Sequence, residues 1–433
     1  MMREGIERSL SYCKRHPGLV ILGILFVSHL FFRFYGFEDK HGFAWDQVDN
    51  AWAAKNIIVE HRLPLVGMVA KQNSGFYIGP LYYYFVAFFY LLTNLDPFAS
   101  VIIAGVTSII TFFVLYIFCK KLFSESVALV VLFLHTFSTF IISSDRTQWP
   151  INFLAPISLV IFYTLYKIMT GNEKYIYYLA VILGLSWQLN FTAIFFFIIS
   201  FLTLPFFPRT KESLKNILIS VPLLLLFFLP NIFFDVQHRA TSLKHLGVYL
   251  SEYYHGFHFL RMIQLAKDAF IEFASLFDSP VLSFGRYIFL PVFFLVYHWR
   301  AHTKQKIMLS YLIFLWFLIP WIVFSVYKGE ISNYYFSLTR PITLIAIAFL
   351  IVWFYSRKFF LAKALIVVGF VGFVVTNTNQ FFEPKFRSLS YHRVVVEQKI
   401  KAGEIIEFSP IDPESYLYYV LTLHEKSSQG RSK

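Results

Sequence analysis

The sequence predicts an all-α, polytopic membrane protein with about 11 to 13 transmembrane helices, and three observations carry that expectation. The chain of 433 residues is 57% hydrophobic and only 15% charged, where a soluble domain carries roughly a quarter charged residues. Apolar runs long enough to cross a hydrocarbon core of about 30 Å recur along it. The basic residues fall in short clusters between those runs, as orientation in a bilayer requires.

Taken in order, about twelve apolar segments satisfy or approach the length of a span. They lie near 17–37, 77–94, 97–119, 126–143, 150–169, 174–188, 190–207, 216–234, 283–299, 306–327, 337–355 and 359–377. The first, "HPGLVILGILFVSHLFFRFYGF", is too long for a signal-peptide core and has no small-residue cleavage site after it, so it is expected to be retained. Three stretches between spans are long: 38–76, 235–282 and the tail after about 378. Residues 1–377 therefore form a transmembrane domain, and 378–433, with mixed charge and alternating apolar positions, a small appendage of helices and a short strand.

Placing the clusters "MMREGIERSLSYCKRH", "CKK", "KIMTGNEK", "PRTKESLK", "HWRAHTKQK" and "SRKFFLAK" inside puts 38–76, 144–149, 235–282, 328–336 and the tail outside. Two apolar segments then separate residue 38 from Lys120, one too many. "FYIGPLYYYFVAFFYLLTN" is the shorter and is read as an interfacial or re-entrant element, leaving about eleven true crossings, N-terminus inside and C-terminus outside. The net charge of +13 follows from these clusters and gives no reason to expect nucleic acid. Cys13 and Cys119 have neither metal-ligand spacing nor a disulfide framework.

Chemistry is expected at the outer face. In "WDQVDNAW", helical spacing puts Asp46, Asp49 and Asn50 on one side and Trp45, Val48 and Trp52 on the other, an amphipathic helix lying in the interface. Asp46 also suits the first turn of that helix as a simple cap. A carboxylate at a low-dielectric boundary has its charged form disfavoured, which moves it toward the range of a general base. Distant outer loops add Asp145, Arg146 and Trp149, then Asp235, His238, Arg239 and His245, then Lys328, Glu330, Tyr334, Tyr335 and Arg340. Arginines outside run against the usual charge bias and suit phosphate oxygens.

Other constellations are missing. There is no glycine-rich phosphate loop, paired-cysteine motif, His-Glu-x-x-His or Gly-x-Ser-x-Gly. His135 reads as a satisfied intramembrane histidine, and "GLSWQLNFTA" as a short outer turn joining two spans.

The stretches "WDQVDNAWAAKNIIVEHRLPLVG", "GFYIGPLYYYFVAFFYLLTNLDPF", "DRTQWPINFLAPISLVIFY", "LPNIFFDVQHR", "NYYFSLTRP" and "GEIIEFSPIDPESYLYYVLTLHEK" together resemble membrane glycosyltransferases of the GT-C fold. The nearest are the bacterial relatives of protein O-mannosyltransferases and aminoarabinose transferases, glycosyltransferase family 39. The resemblance implies a sugar donor carried on a polyprenyl phosphate and a bacterial inner or plasma membrane location with an extracytoplasmic active site. It implies an acceptor that is a protein, a lipid or a cell-envelope glycan, and an inverting displacement. Asp46 matches the catalytic carboxylate and Asp49 an acidic position of the bacterial subgroup. Arg340, Arg239, Arg146 and Lys71 are the candidates for the donor phosphate, and Tyr82, His238, Tyr334 and Tyr335 for the acceptor and sugar. Any divalent cation, magnesium or manganese, would fall to Asp46 and Asp49.

The chain departs from the mannosyltransferases in three places. Gln47 stands where they carry Glu, Gly79-Pro80 replaces Pro-Pro, and "RTQWPIN" replaces a stretch with a further Asp. The competing expectations are a flippase or transporter for lipid-linked sugars and a non-catalytic membrane scaffold.

Overall fold

The computed structural model describes residues 16–71, 74–254, 256, 259–269, 285–299, 303–329, 331–383 and 387–430. Cys13, Glu330 and part of the 235–282 loop lie outside the described residues. Among those described the chain is helical throughout, with three isolated antiparallel bridges and no strand.

Six helices are long and apolar enough to cross a membrane: Pro17–Phe34, Phe98–Leu122, Pro150–Met169, Lys211–Gln237, Lys304–Ser325 and Phe360–Phe382. A bent pair, Glu125–Phe137 and Thr139–Asp145, forms a seventh apolar unit, and shorter apolar helices cover the remaining predicted segments. Leu81–Leu92 is one of these. At about 1.5 Å per residue its 12 residues fall well short of the bilayer.

The core sits where helices face helices. Phe98–Leu122, Pro150–Met169 and Lys304–Ser325 bury 61%, 67% and 61% of their apolar windows, whereas Lys211–Gln237 and Phe360–Phe382 bury only 6% and 11%. Trp316 marks the centre, fully buried with its ring 5.0 Å from that of Phe162 and 6.0 Å from Phe196. The outward apolar faces would be a liability in water and are what a bilayer solvates.

A cluster of ionisable side chains lies within this bundle. Arg33, at the end of the first span, donates to Asp145 Oδ2 at 2.8 and 3.1 Å and to the carbonyls of His135 and Thr136 at 2.7 Å each. Ser108 joins the same carboxylate at 3.2 Å and His29 at 2.9 Å. Sequence placed Asp145 among the outward groups; it is instead buried against Arg33, because the 74° break at Ser138 turns the last helical turn back into the bundle. His135 is satisfied by this cluster, beside Asp145 at 3.6 Å.

The predicted outer loops converge at one end of the bundle, and two expectations about them need correcting. The stripe Trp45, Val48 and Trp52 does not lie at headgroup depth as a unit. Val48 is fully buried, Trp45 is 63% exposed, and Trp52 sits under the tail against Phe408, Tyr416 and Tyr419, its indole donating to Ser409 O at 3.2 Å. The tail itself consists of helices Leu389–Lys401 and Pro413–Gly430, and the expected strand is absent among the described residues. Residues 404–408 run without a partner ladder, so they have no regular structure to join.

Candidate active site

Asp46 and Asp49 occupy the first turn of the Asp46–Val59 helix, which packs along Leu81–Leu92. Trp45 precedes it with φ 45°, a left-handed backbone unusual for a bulky residue and a form of strain that clusters at functional sites. No side chain caps this helix. Asp46 is turned away from the capping position toward Trp149, whose indole N–H it accepts on Oδ2. Asp49 Oδ2 accepts the hydroxyl of Tyr83 at 2.6 Å.

Burial raises both carboxyls above the ordinary carboxylate range. For Asp46 the Trp149 hydrogen bond acts in the opposite direction; for Asp49 the Tyr83 hydroxyl opposes, while the nearby charge of Asp46 raises it further. The result is a pair of half-buried acids, each held in one direction by a single donor.

Gln47, between them, explains part of the departure from the family pattern. Its Nε2 donates to Gln148 O at 2.8 Å, and its Oε1 accepts Ala44 N at 3.2 Å. A carboxylate could make only the second of these bonds. Gln148 in turn donates to the Tyr82 hydroxyl at 3.0 Å. The segment 144–152 is therefore a hub: Ser144 accepts Arg340 at 3.1 Å, Asp145 holds Arg33, Gln148 holds Tyr82, and Trp149 reaches Asp46.

Gly79 has a similar local reason. A Cβ there would stand 1.9 Å from Gln188 Oε1, the atom that accepts Leu81 N at 3.1 Å and so caps the short helix. A second proline at this position would meet Gln188 in the same place.

The structure gathers the predicted site residues into several places rather than one. Asp46 and Tyr334 meet at Trp149, with the Tyr334 and Trp149 rings 4.6 Å apart, while Tyr82 accepts from the adjacent Gln148 and Asp49, one turn from Asp46, accepts from Tyr83. Lys71 and Tyr335 line a neighbouring cavity of about 450 Å³. Arg239 lines a second cavity, of about 480 Å³, with Tyr77, Trp187, Phe228, Ile232 and Val236. His238 is next to it, exposed and stacked on Phe234 at 4.1 Å. Arg340 is buried beside Asp145 and Asn152, over the ring of Phe140.

Arg146 has a different occupation from the one expected. Its guanidinium donates to the carbonyls of Phe32, Arg33, Tyr35, Gly36, Phe37 and Lys40 at 2.8 to 3.3 Å. It closes the C-terminus of the first span, where orphan carbonyls need donors, and it is not carried forward as a phosphate ligand.

Sequence named Trp149 only as one of the outward groups of its loop, and gave Tyr83, Gln148 and Gln188 no individual role. Only Trp149 left a signal, an aromatic amphiphile in a short polar loop. As for metal, no group of three or more His, Cys, Asp or Glu side chains placed to hold an ion is present among the described residues. Asp46 and Asp49 would be the residues to hold a magnesium-like ion, which takes one or two protein carboxylates.

Between the two cavities runs a small hairpin. Ala70 N donates to Phe76 O at 2.9 Å and Ile78 N to Met68 O at 3.1 Å, around the Val69–Tyr77 bridge. Its tip is seated by His245 Nδ1 at 3.0 Å from Gly75 O, and Gly75 at φ +70° is a residue that conformation favours.

Residues 78–234 match the model of the dolichyl-phosphate-mannose-protein mannosyltransferase family. No curated protein matches the chain. Among solved structures, ArnT from Cupriavidus metallidurans in the apo state is similar with a TM-score of 0.50 and 11% identity, covering 93% of this chain and 68% of that one. The same protein bound to undecaprenyl phosphate gives 0.51 and 10%, covering 94% and 75%. The Archaeoglobus fulgidus oligosaccharyltransferase, in complex with zinc and sulfate, gives 0.52 and 11%, covering 93% of this chain and 57% of that one. The fold is the GT-C fold, and the resemblance to family-39 glycosyltransferases seen in the sequence is borne out.

Proposed function

We propose that this chain, a multi-pass membrane glycosyltransferase of the GT-C fold, transfers a sugar from a polyprenyl-phosphate donor to an extracytoplasmic acceptor, with Asp46 as the base. The observation that carries the proposal is the carboxylate pair itself: two acids raised by burial, each with one fixed donor, with Asp46 linked through Trp149 and Tyr334 to Tyr335 of the Lys71 cavity. The ArnT structure with undecaprenyl phosphate bound supports a lipid-linked donor.

The cavity beside Arg239 suits that donor. It lies against Ile232 and Val236, which are 45% and 75% exposed on the outward face of the Lys211–Gln237 span. A prenyl chain would enter from the bilayer and place its phosphate at Arg239. Asp235, also lining it, is occupied in accepting Ser242 N at 2.8 Å.

In the reaction the acceptor oxygen forms a bond to the anomeric carbon while the bond from that carbon to the phosphate oxygen breaks. The electron pair leaves with the polyprenyl phosphate, where a cation stabilises it, and the hydroxyl proton passes to Asp46. Asp49 orients the acceptor or shares a divalent ion with Asp46; such an ion would neutralise the departing phosphate. Tyr83 holds Asp49 in place, and the Trp149 hydrogen bond favours the ionised form of Asp46 against the burial that disfavours it.

The test is Asp46→Asn in membranes supplied with polyprenyl-phosphate sugars. Transfer is expected to fall by about 10²- to 10⁴-fold with unchanged membrane insertion, and wild-type transfer by the variant would overturn the assignment.

A further inference from the structure

The 74° break between Glu125–Phe137 and Thr139–Asp145 lies inside an apolar unit, where a freed backbone group has no water to turn to. Each side of the break is satisfied by a different span. The carbonyls of His135 and Thr136 accept from Arg33 of the first span at 2.7 Å each. The Thr139 N–H, at the start of the new helix, donates to Asn377 Oδ1 of the Phe360–Phe382 span at 2.7 Å, across 238 residues of sequence. The Thr139 hydroxyl adds a bond to the Asn377 carbonyl at 2.8 Å. Asn377 Nδ2 donates to Phe373 O of its own helix at 2.8 Å, so the amide is oriented with its oxygen toward the break.

The span that supplies Asn377 is otherwise mostly lipid-facing. It buries Phe373, Asn377 and Phe381, a single stripe four residues apart. The Phe373 ring lies 6.1 Å from that of Phe133, before the break, and the Phe381 ring 5.0 Å from that of Phe32 in the first span. Asn377, between them, is the polar member of the stripe and meets the broken turn.

The break aims a lever at the candidate active site. The Thr139–Asp145 helix has seven residues, about 10 Å at about 1.5 Å each, so a tilt of about 10° at its start carries its far end by about 2 Å. Asn152 Nδ2 donates to the carbonyls of Ser144 and Thr147 at 2.7 and 2.8 Å, and Ser144 Oγ donates to Asn152 Oδ1 at 3.1 Å. These bonds tie the following turn to the helix, and that turn carries Trp149 to Asp46. A displacement of about 2 Å is more than a hydrogen bond survives.

We infer that Asn377 is a positioning residue: its amide holds the angle of the Ser138 break and, through the 144–152 turn, the seat of Trp149 against Asp46. The effect on transfer rests on the function proposed above; the placement of Trp149 does not. Thr139→Pro separates this role from packing. Thr139 is the first residue of its helix, where proline is favoured, and Ser138 before it is extended at ψ 116°, as a residue preceding proline has to be. With no N–H to satisfy, position 377 needs no acceptor, so Thr139→Pro should rescue Asn377→Leu.

The experiment uses the full-length protein in lipid nanodiscs, labelled with 5-fluorotryptophan, with the Trp149 fluorine resonance identified by its loss in Trp149→Phe. Asn377→Leu should displace that resonance by more than its linewidth, and adding Thr139→Pro should return it to the parent position. A resonance unmoved by Asn377→Leu, or moved and not restored by Thr139→Pro, would overturn the inference. Loss of folding in Asn377→Leu that Thr139→Pro reverses supports the same pairing, and loss that it does not reverse overturns it. In the transfer assay Asn377→Leu should lower the rate on the acid limb by about threefold or more, the factor an average cross-helix hydrogen bond provides in a bilayer. In a Trp149→Phe background it should move that limb no further, and an additional shift there would overturn the route through Trp149. A displaced and restored resonance with an unmoved limb supports the placement of Trp149 by Asn377 and counts against Asp46 as the base.

Discussion

Trp149→Phe isolates one hydrogen bond in the candidate site. The substitution keeps an aromatic ring to pack on Tyr334 and removes only the indole N–H that Asp46 accepts. That bond favours the ionised carboxylate, against the burial that disfavours it. A hydrogen bond to a charged group is worth about 1.5–3 kcal/mol, and about 1.4 kcal/mol corresponds to one pKa unit. Losing it should move Asp46 further up. The base works as the anion, so the acid limb of the pH–rate profile should shift to higher pH. Activity on the alkaline plateau should stay near that of the parent. The assay is initial rate of sugar transfer in proteoliposomes between pH 4 and 9. An unmoved limb, or one displaced to lower pH, would refute the coupling of Trp149 to the base; a uniform loss at all pH values would show that the indole acts through shape alone.

Three further outcomes are expected. Asp49→Asn should raise the thermal midpoint at pH 7, because the wild-type carboxyl is raised by burial and its ionisation opposes folding. The gain should vanish on acidification, since below its folded pKa the wild-type group is protonated like the amide, and a gain that grew toward low pH would reverse the sign. Arg33→Met, which leaves Asp145 buried without its partner, should destabilise by about 3–5 kcal/mol, and Arg33→Met with Asp145→Leu should recover most of that loss in a thermal unfolding comparison. Gln47→Glu should face the Gln148 carbonyl with no proton to donate, costing about 1–3 kcal/mol and lowering transfer, whereas Gln47→Met should retain more activity.

Much of this was legible because the bilayer enforces a simple pattern. Each of the predicted apolar segments carries a helix, since a chain in hydrocarbon has to satisfy its own backbone. Asp46 and Asp49 stood out because acids are scarce here and three residues apart on a helix share a face. The buried Arg33–Asp145 pair was not visible, as the partners are 112 residues apart and meet only through the break at Ser138. Arg146 shows the opposite failure. An arginine outside the membrane suggested phosphate, yet a helix C-terminus needs the same donors.

The sequence by itself therefore determined the solvent of the fold, its helical class, the rough position of the spans and the pair of acids that face one way. Those follow from local composition and period, which need no partner. Tertiary structure decided which cation belongs to which cavity, that the tail covers Trp52, and that one indole, brought from 103 residues away, donates to Asp46 and opposes the effect of its burial. Such contacts depend on how helices cross and where one bends, and no single segment encodes the crossing of two.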